Sequence, residues 1–409
     1  MNRQYLSSHQ QGYMRQRMPL SRARHHNHGR FCGQRFSGQQ FSGPAASRGL
    51  TLVELLVAMA IGLLIVMVAT TVLVFSQRGA VVVDGAAQLR DDARFATELI
   101  QRLAVQAGFE DLDAASMPYK DSPAHYKLAN NNTDITTLQP NIFGFNNALP
   151  NKNDLLNSAT PRSGTDGGNG SDVLILQYQT VKADLNKGAG APSDGSIINC
   201  NGIAPGMSSI NRSDRIASIL YVDNSQGDLA LMCITQGSTG WSDPEPILKG
   251  VENFQVLYGV DNVEPGKAIS PLPSKVAAGS ATEASPKPAD SVPDRYLRAD
   301  QLTVSGDTVA TYANWRRVRS LRIGMVLRGP AGSAHENLGG TFYPLGNKEY
   351  PYDSSSDPGS MMEISSKSGG DLASRLRQTV TFTVQLRNCQ NQGYQPTNSE
   401  QPCDVVLPE

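Results

Sequence analysis

Apolar and polar residues along this 409-residue chain change their spacing twice. From Leu55 to Phe75, 21 uncharged and mostly apolar residues follow one another, with one carboxylate, Glu54, just before them. At about 1.5 Å per helical residue the run reaches about 32 Å, enough to cross the hydrocarbon core of a bilayer. From Val82 a stripe replaces the continuous run: Ala86, Leu89, Ala93, Ala96, Ile100, Leu103 and Ala107 step by four and three, the period of one helix face. No proline lies between Pro44 and Pro118, so both patterns predict one helix from about Leu50 to Ala107, with Gly108 as its stop. Asp91, Arg94, Glu98 and Arg102 flank the stripe at ion-pair spacing, Glu98 lying four residues before Arg102. The small residues of the stripe favour docking against a sheet, and a neighbouring helix is the other partner it fits.

Farther on the period shortens to two. Asp172–Thr180, Ile216–Val222, Asp228–Ile234 and Val251–Val260 are β-rich runs between turn residues, and Phe254, Val256, Tyr258 and Val260 fall on one face. Leu321, Ile323, Met325 and Leu327 alternate with Arg322, Gly324, Val326 and Arg328; later Val380, Phe382, Val384 and Leu386 alternate with Thr381, Thr383, Gln385 and Arg387. Each of these two predicts a strand with one buried and one wetted face. Residues 109–171 read as a connecting region, and 261–293 and 329–372 as flexible insertions. The fold class is α+β: a long N-terminal helix, half membrane-spanning and half amphipathic, packed on an antiparallel β-sheet head.

Charge separates the same regions. Residues 1–48 hold eight arginines and no Lys, Asp or Glu, which leaves 28 basic against 37 acidic residues in the remainder. A basic leader beside a membrane helix keeps that end in the cytoplasm, and the acidic remainder argues against nucleic acid as a partner. The leader has no apolar period; Met14 and Met18 are alternative starts, and its His25, His26 and His28 have no framework that would make them a metal site. Cys32 lies in the leader, while Cys200, Cys233, Cys389 and Cys403 lie beyond the helix, an even set that suits two disulfides in an oxidising compartment. Three pairings are open, of which the local ones, Cys200 with Cys233 and Cys389 with Cys403, are favoured.

A secretory signal has a short apolar region followed by a small-residue cleavage site. Here the small residue, Gly49, precedes a long apolar run, so a cut there would make the helix the new N-terminus. Gly49 followed by Leu50-Thr51-Leu52-Val53-Glu54 resembles the class III signal of type IV prepilins and type II secretion pseudopilins. The resemblance implies cleavage after Gly49 by a prepilin peptidase, N-methylation of Leu50, and a Glu54 carboxylate that pairs with the N-terminal amine of a neighbouring subunit. Leu50 stands where the family more often has Phe, and the leader is long. Such pairing answers a physical need, because a lone carboxylate in hydrocarbon costs about 2.5 to 3.5 kcal/mol on insertion scales. GSDVLILQYQ, LKGVENFQVLYGVD, ANWRRVRSLRIGMVLRG and SRLRQTVTFTVQLRN, in that order, are similar to the PilW family of minor pilins.

Enzyme chemistry finds no support in these motifs. Beyond the leader only His125 and His335 occur, in unrelated loops, and no P-loop, nucleophile elbow or dinucleotide fingerprint is present. No cofactor or metal is expected; Asp166, Asn169 and Asp172 in TDGGNGSD have the spacing of a calcium loop without its later bidentate Glu, and read as a turn. Arg316, Arg317, Arg319 and Arg322 read as a strand edge held by surface ion pairs, with a DNA or lipid patch as the lesser alternative.

The expected organisation is a leader at 1–49, a helix at 50–108 with its membrane span at about 55–75, and a periplasmic β-rich head at 109–409. The resemblance implies an inner-membrane, single-pass minor pilin that primes or caps a type IV pilus on the cell surface and supports adhesion and twitching motility. Its partners would be prepilin peptidase, other minor and major pilins and the inner-membrane assembly machinery. A type II secretion minor pseudopilin is the alternative within the class; a membrane-anchored periplasmic binding or enzymatic domain is the alternative outside it.

Overall fold

The computed structural model describes residues 51–111, 139–163, 167–184, 186–187, 191–206, 208–209, 214–225, 227–237, 240–269, 292–334, 339–348, 350, 355–365 and 374–388. Gly49, Leu50, Cys32, His125, Asp166, His335, Cys389 and Cys403 lie outside them.

Helix α1 runs from Leu52 to Gln106. Thr51 starts it: its hydroxyl accepts the Glu54 N–H at 3.3 Å and its carbonyl accepts the Leu55 N–H at 3.2 Å. Gly108 ends it with a φ of +74°, and its N–H turns away to donate to the Gln177 carbonyl. The chain divides between Val66 and Met67 into two units. The first contributes the opening of α1, whose side chains are all exposed; the second holds the rest of α1 and the head.

In the second unit the predicted stripe is the buried face: Leu89, Ala93, Ala96, Ile100, Leu103, Ala104 and Ala107 join the main core, with Gly85 in place of the half-buried Ala86 at its upper end. The sheet, not a second helix, receives that face. Strand β1 (Ile142–Phe145) opens the head, followed by the short hairpin β2 (Ala148–Pro150) and β3 (Ala159–Pro161). Then come β4 (Val173–Tyr178), β5 (Ile216–Ser225), β6 (Asp228–Gly237), β7 (Gly240–Trp241), β8 (Glu245–Lys249) and β9 (Val251–Val260). β10 (Arg295–Leu297), α2 (Ala299–Leu302) and α3 (Thr308–Trp315) lead into β11 (Val318–Arg328). β12 (Gly340–Phe342), β13 (Met362–Ile364) and β14 (Arg377–Gln385) complete it.

Among the described residues the strands form two main antiparallel sheets. One is ordered β1-β4-β5-β6-β7 with β8 also on β6, the other β10-β9-β11-β14. They share one core, in which Leu174, Ile219, Phe254, Ile323 and the α1 stripe are all sealed from solvent. An aromatic group fills one end: Trp315 stands 4.6 Å from both Phe143 and Tyr258, ring centre to ring centre. Asp172 N–H bonds the Phe254 carbonyl at 2.8 Å and so stitches one sheet to the other.

Three expectations change. Residues 142–161, read as part of a connection, contain β1, β2 and β3. Strand β11 does not wet one face: of its eleven residues only Arg322 is partly exposed. The chain at 343–345 covers that side, with the Leu345 carbonyl accepting from Arg322 and the Pro344 carbonyl from Thr381. β14, by contrast, does alternate, its Thr379, Thr381, Thr383 and Gln385 exposed. Finally, Arg316, Arg317 and Arg319 are not a surface edge. All three are buried, and Arg319 faces the equally buried Asp261 with 3.8 Å between Nε and Oδ2.

Candidate assembly interface

Glu54 lies in the first turn of α1, where the unpaired N–H groups of the helix favour a negative charge. Its spacing from Thr51 is that of a capping box, a signal that the apolar run overshadowed in the sequence. Behind Glu54 every side chain from Leu55 to Phe75 is exposed. Among the described residues, α1 is one helix long and apolar enough to cross a membrane. Its two polar residues in this stretch, Thr70 and Thr71, donate their hydroxyls to the carbonyls of Met67 and Val68 at 2.9 and 2.8 Å. No polar hydrogen is left to need water, so lipid or a neighbouring helix can cover the segment.

The second half of α1 carries a different surface. Its outer flank shows Arg94, Phe95, Glu98 and Arg102, and the Phe95 ring is half exposed. Beside it a groove of about 520 Å³ runs between Ala93, Arg94, Thr97, Glu98 and Gln101 of α1 and Gln378–Thr381 of β14. β14 pairs with β11 on one side and ends its sheet on the other. Asn388, just past it, fastens this edge to the end of α1 by donating to the carbonyls of Val105 and Ala107.

Buried ion pairs hold the head rigid behind that surface. Glu252 of β9 accepts from Arg377 through both carboxylate oxygens, at 2.6 and 3.0 Å, and from Arg328 at 3.2 Å. Arg328 also reaches Asp228, and Arg215 is held by Glu110 and Asn141. None of these pairs was visible as a motif, since each joins residues far apart in the chain. In the turn that resembled a calcium loop, the Asn169 amide donates to the Glu252 carbonyl, and the Asp172 carboxylate accepts the N–H groups of Asn147 and Val256. Among the described residues no three His, Cys, Asp or Glu side chains come together as metal ligands. Cys200 and Cys233 form a buried disulfide with a Cα separation of 5.9 Å, one of the two pairings favoured above; the other lies outside the described residues.

Comparison with known proteins agrees with this layout. Residues 44–70 match the family model described as prokaryotic N-terminal methylation motif, and residues 219–388 match that of type IV pilus-assembly protein W. No curated protein matches. Among solved structures, the type IV-like pilin TTHA1219 from Thermus thermophilus is similar, at 14% identity over 74% of this chain and 98% of that one, with a TM-score of 0.29. That score is too low to bear on the fold or on function. An apolar N-terminal helix with the methylation motif at its mouth and an antiparallel head behind it is the layout of the prepilin class, and the motif implies processing by a peptidase and assembly with other pilins. The match from β5 through β14 supports a PilW-type pilin, a minor pilin of type IV pilus assembly.

Proposed function

We propose that the chain is cut after Gly49 and N-methylated at Leu50, and that α1 then anchors it by a single pass at about residues 55–75 with residues 109–409 in the periplasm. The observation that carries this reading is Glu54 at the mouth of a helix whose next 21 residues are all exposed among the described residues. A carboxylate so placed gains by meeting the Leu50 amine of an adjacent subunit, which neutralises both charges as the helices enter the filament core. The large head crowds a thin filament, which favours low copy number and a place near the tip, as a priming or capping subunit that supports adhesion and twitching. Prepilin peptidase, the major and minor pilins and the inner-membrane assembly machinery are its partners, and it has no enzymatic role. Arg316, Arg317 and Arg319 are buried and so offer DNA no basic surface.

Mass spectrometry of the N-terminus, in cells with and without prepilin peptidase, tests processing. A mature chain beginning at methylated Leu50 is expected only with the peptidase, and an intact leader in its presence overturns the reading. Glu54→Ala should leave cleavage in place and reduce incorporation into sheared pili. Normal incorporation would make Glu54 an interfacial charge and nothing more.

A further inference from the structure

Two buried carboxylates belong to no part of the assembly surface. Asp172, just before β4, is sealed within the seam between the two sheets, its oxygens on the N–H groups of Asn147 and Val256 at 2.8 Å. Asp357, also sealed, stands at the head of the 3-10 turn Pro358–Ser360, in the segment that leads into β13. Their two segments are clamped together on either side of the acids. Asn146, one residue before the backbone N–H that holds Asp172, donates to the Ser356 carbonyl at 3.1 Å. Asn253 donates at once to the carbonyls of Asn169 and Gly359, at 2.7 and 3.0 Å. Gly170 approaches so closely that a Cβ on it would lie 2.5 Å from the Gly359 nitrogen.

We infer that Asp172 and Asp357 titrate as one buried pair that keeps a proton in the closed head, and that releasing this proton loosens residues 355–361 from the seam. Two carboxylates sealed from bulk solvent resist ionising together, since burial penalises each charge and leaves the two poorly screened from one another. Burial first, and then the charge of Asp357, push Asp172 well above the usual carboxylate range; the N–H groups of Asn147 and Val256 and the charge of Arg162 oppose this and are outweighed. The other groups that face the pair are Tyr258 of β9, kept neutral by burial and by the Asp172 charge, and Tyr350, which hydrogen-bonds Asp357 and has Arg298 behind it. Neither tyrosine offers a second negative charge near neutral pH, so the proton belongs to the two acids.

The sign follows from where the proton is held. An opened segment exposes carboxyls of ordinary affinity, about pH 4, whereas the closed pair keeps its proton to higher pH. Opening therefore releases a proton and becomes easier as pH rises between those two values, by about tenfold per pH unit, then levels off once the closed pair has also ionised.

Hydrogen exchange on the full chain in detergent, corrected for the intrinsic pH dependence of exchange, reads the protection of residues 355–361. Infrared spectroscopy of the same sample reads the carboxylic acid band. Expected is a protonated acid that persists above the ordinary carboxylate range, with protection falling about tenfold per unit until the band is lost and constant beyond it. In Asp357→Asn, a nearly isosteric change, the loss of the band and the end of the slope should both move to lower pH. Absence of the band above the ordinary range overturns the inference, as does a midpoint unmoved in Asp357→Asn. Protection that ignores the titration overturns the loosening.

Discussion

The Arg377 guanidinium lies flat against the Glu252 carboxylate, Nε to Oε2 at 2.6 Å and Nη2 to Oε1 at 3.0 Å, across 125 residues of sequence. Arg328 meets the same carboxylate, so a single acid from β9 pins β11 and β14 and, through Asp228, the start of β6. Both Arg side chains and Glu252 are almost wholly buried. Removing the acid takes this counter-charge from both buried guanidinium groups, and Arg328 keeps the half-exposed Asp228. Glu252→Ala should therefore cost about 3–5 kcal/mol, and Glu252→Gln less, in urea denaturation of the detergent-solubilised chain. A cost under about 1 kcal/mol for the alanine variant would show that water reaches these arginines.

Two glycines of α1 should respond with opposite signs. A Cβ on Gly85 would stand 2.7 Å from the Ser333 Cβ, whereas one on Gly79 would meet nothing within 4 Å. Gly85→Val should destabilise by about 1–3 kcal/mol through overpacking, while Gly79→Ala should stabilise by up to about 1 kcal/mol through helix propensity. Melting temperatures of the two variants, measured side by side, check the contrast.

The Cys200–Cys233 bridge closes a loop with a sequence separation of 33 residues and ties the segment before β5 to the middle of β6. Loop-closure entropy of that size corresponds to about 3–4 kcal/mol. Cys200→Ser with Cys233→Ser should lose about that much stability. The native bridge should resist mild reductant until the head is unfolded, because both sulfurs are buried; free thiols appearing at full native signal would contradict this.

Capping and charge pairing at the mouth of α1 can be separated. Thr51→Ala removes the hydroxyl that accepts the Glu54 N–H and should cost about 1 kcal/mol of helix start, with Thr51→Ser near wild type. Because the cap is local, incorporation into pili should fall far less in Thr51→Ala than in Glu54→Ala. Equal losses in immunoblots of sheared pili would assign the effect to the cap.

Where local pattern and tertiary environment agree, the sequence was legible. Val251–Val260 is a strand with the expected bounds, and the α1 stripe is buried almost position for position. Each failure has its cause elsewhere in the chain. β11 lost its wet face because the segment at 343–345, fifteen to seventeen residues beyond the strand, folds back over it. Arg319, in β11, looked solvated because its partner, Asp261, lies far back in the chain, just past the end of β9. Residues 142–161 hid three strands because each is four residues or fewer, too short for a period of two to emerge, and Asn147 supplies the turn with a φ of +46°. At the assembly surface, Glu54 and the apolar run were plain, whereas the groove beside β14 needs two elements brought together from 280 residues apart.

Strand β5 sits between β4 and β6, yet β4 lies outside the stretch that matches the PilW family, which begins at Ile219, inside β5. A fragment trimmed to residues 219–388 would lose β1, β4 and the α1 stripe together. It would present a bare row of backbone donors and acceptors along Ile219–Tyr221, residues that are buried in the whole head. Such a row is a template for another strand, so the trimmed piece would be expected to associate with copies of itself. The part that matches the family model is thus the more recognisable portion of the head without being the portion that can stand in water alone.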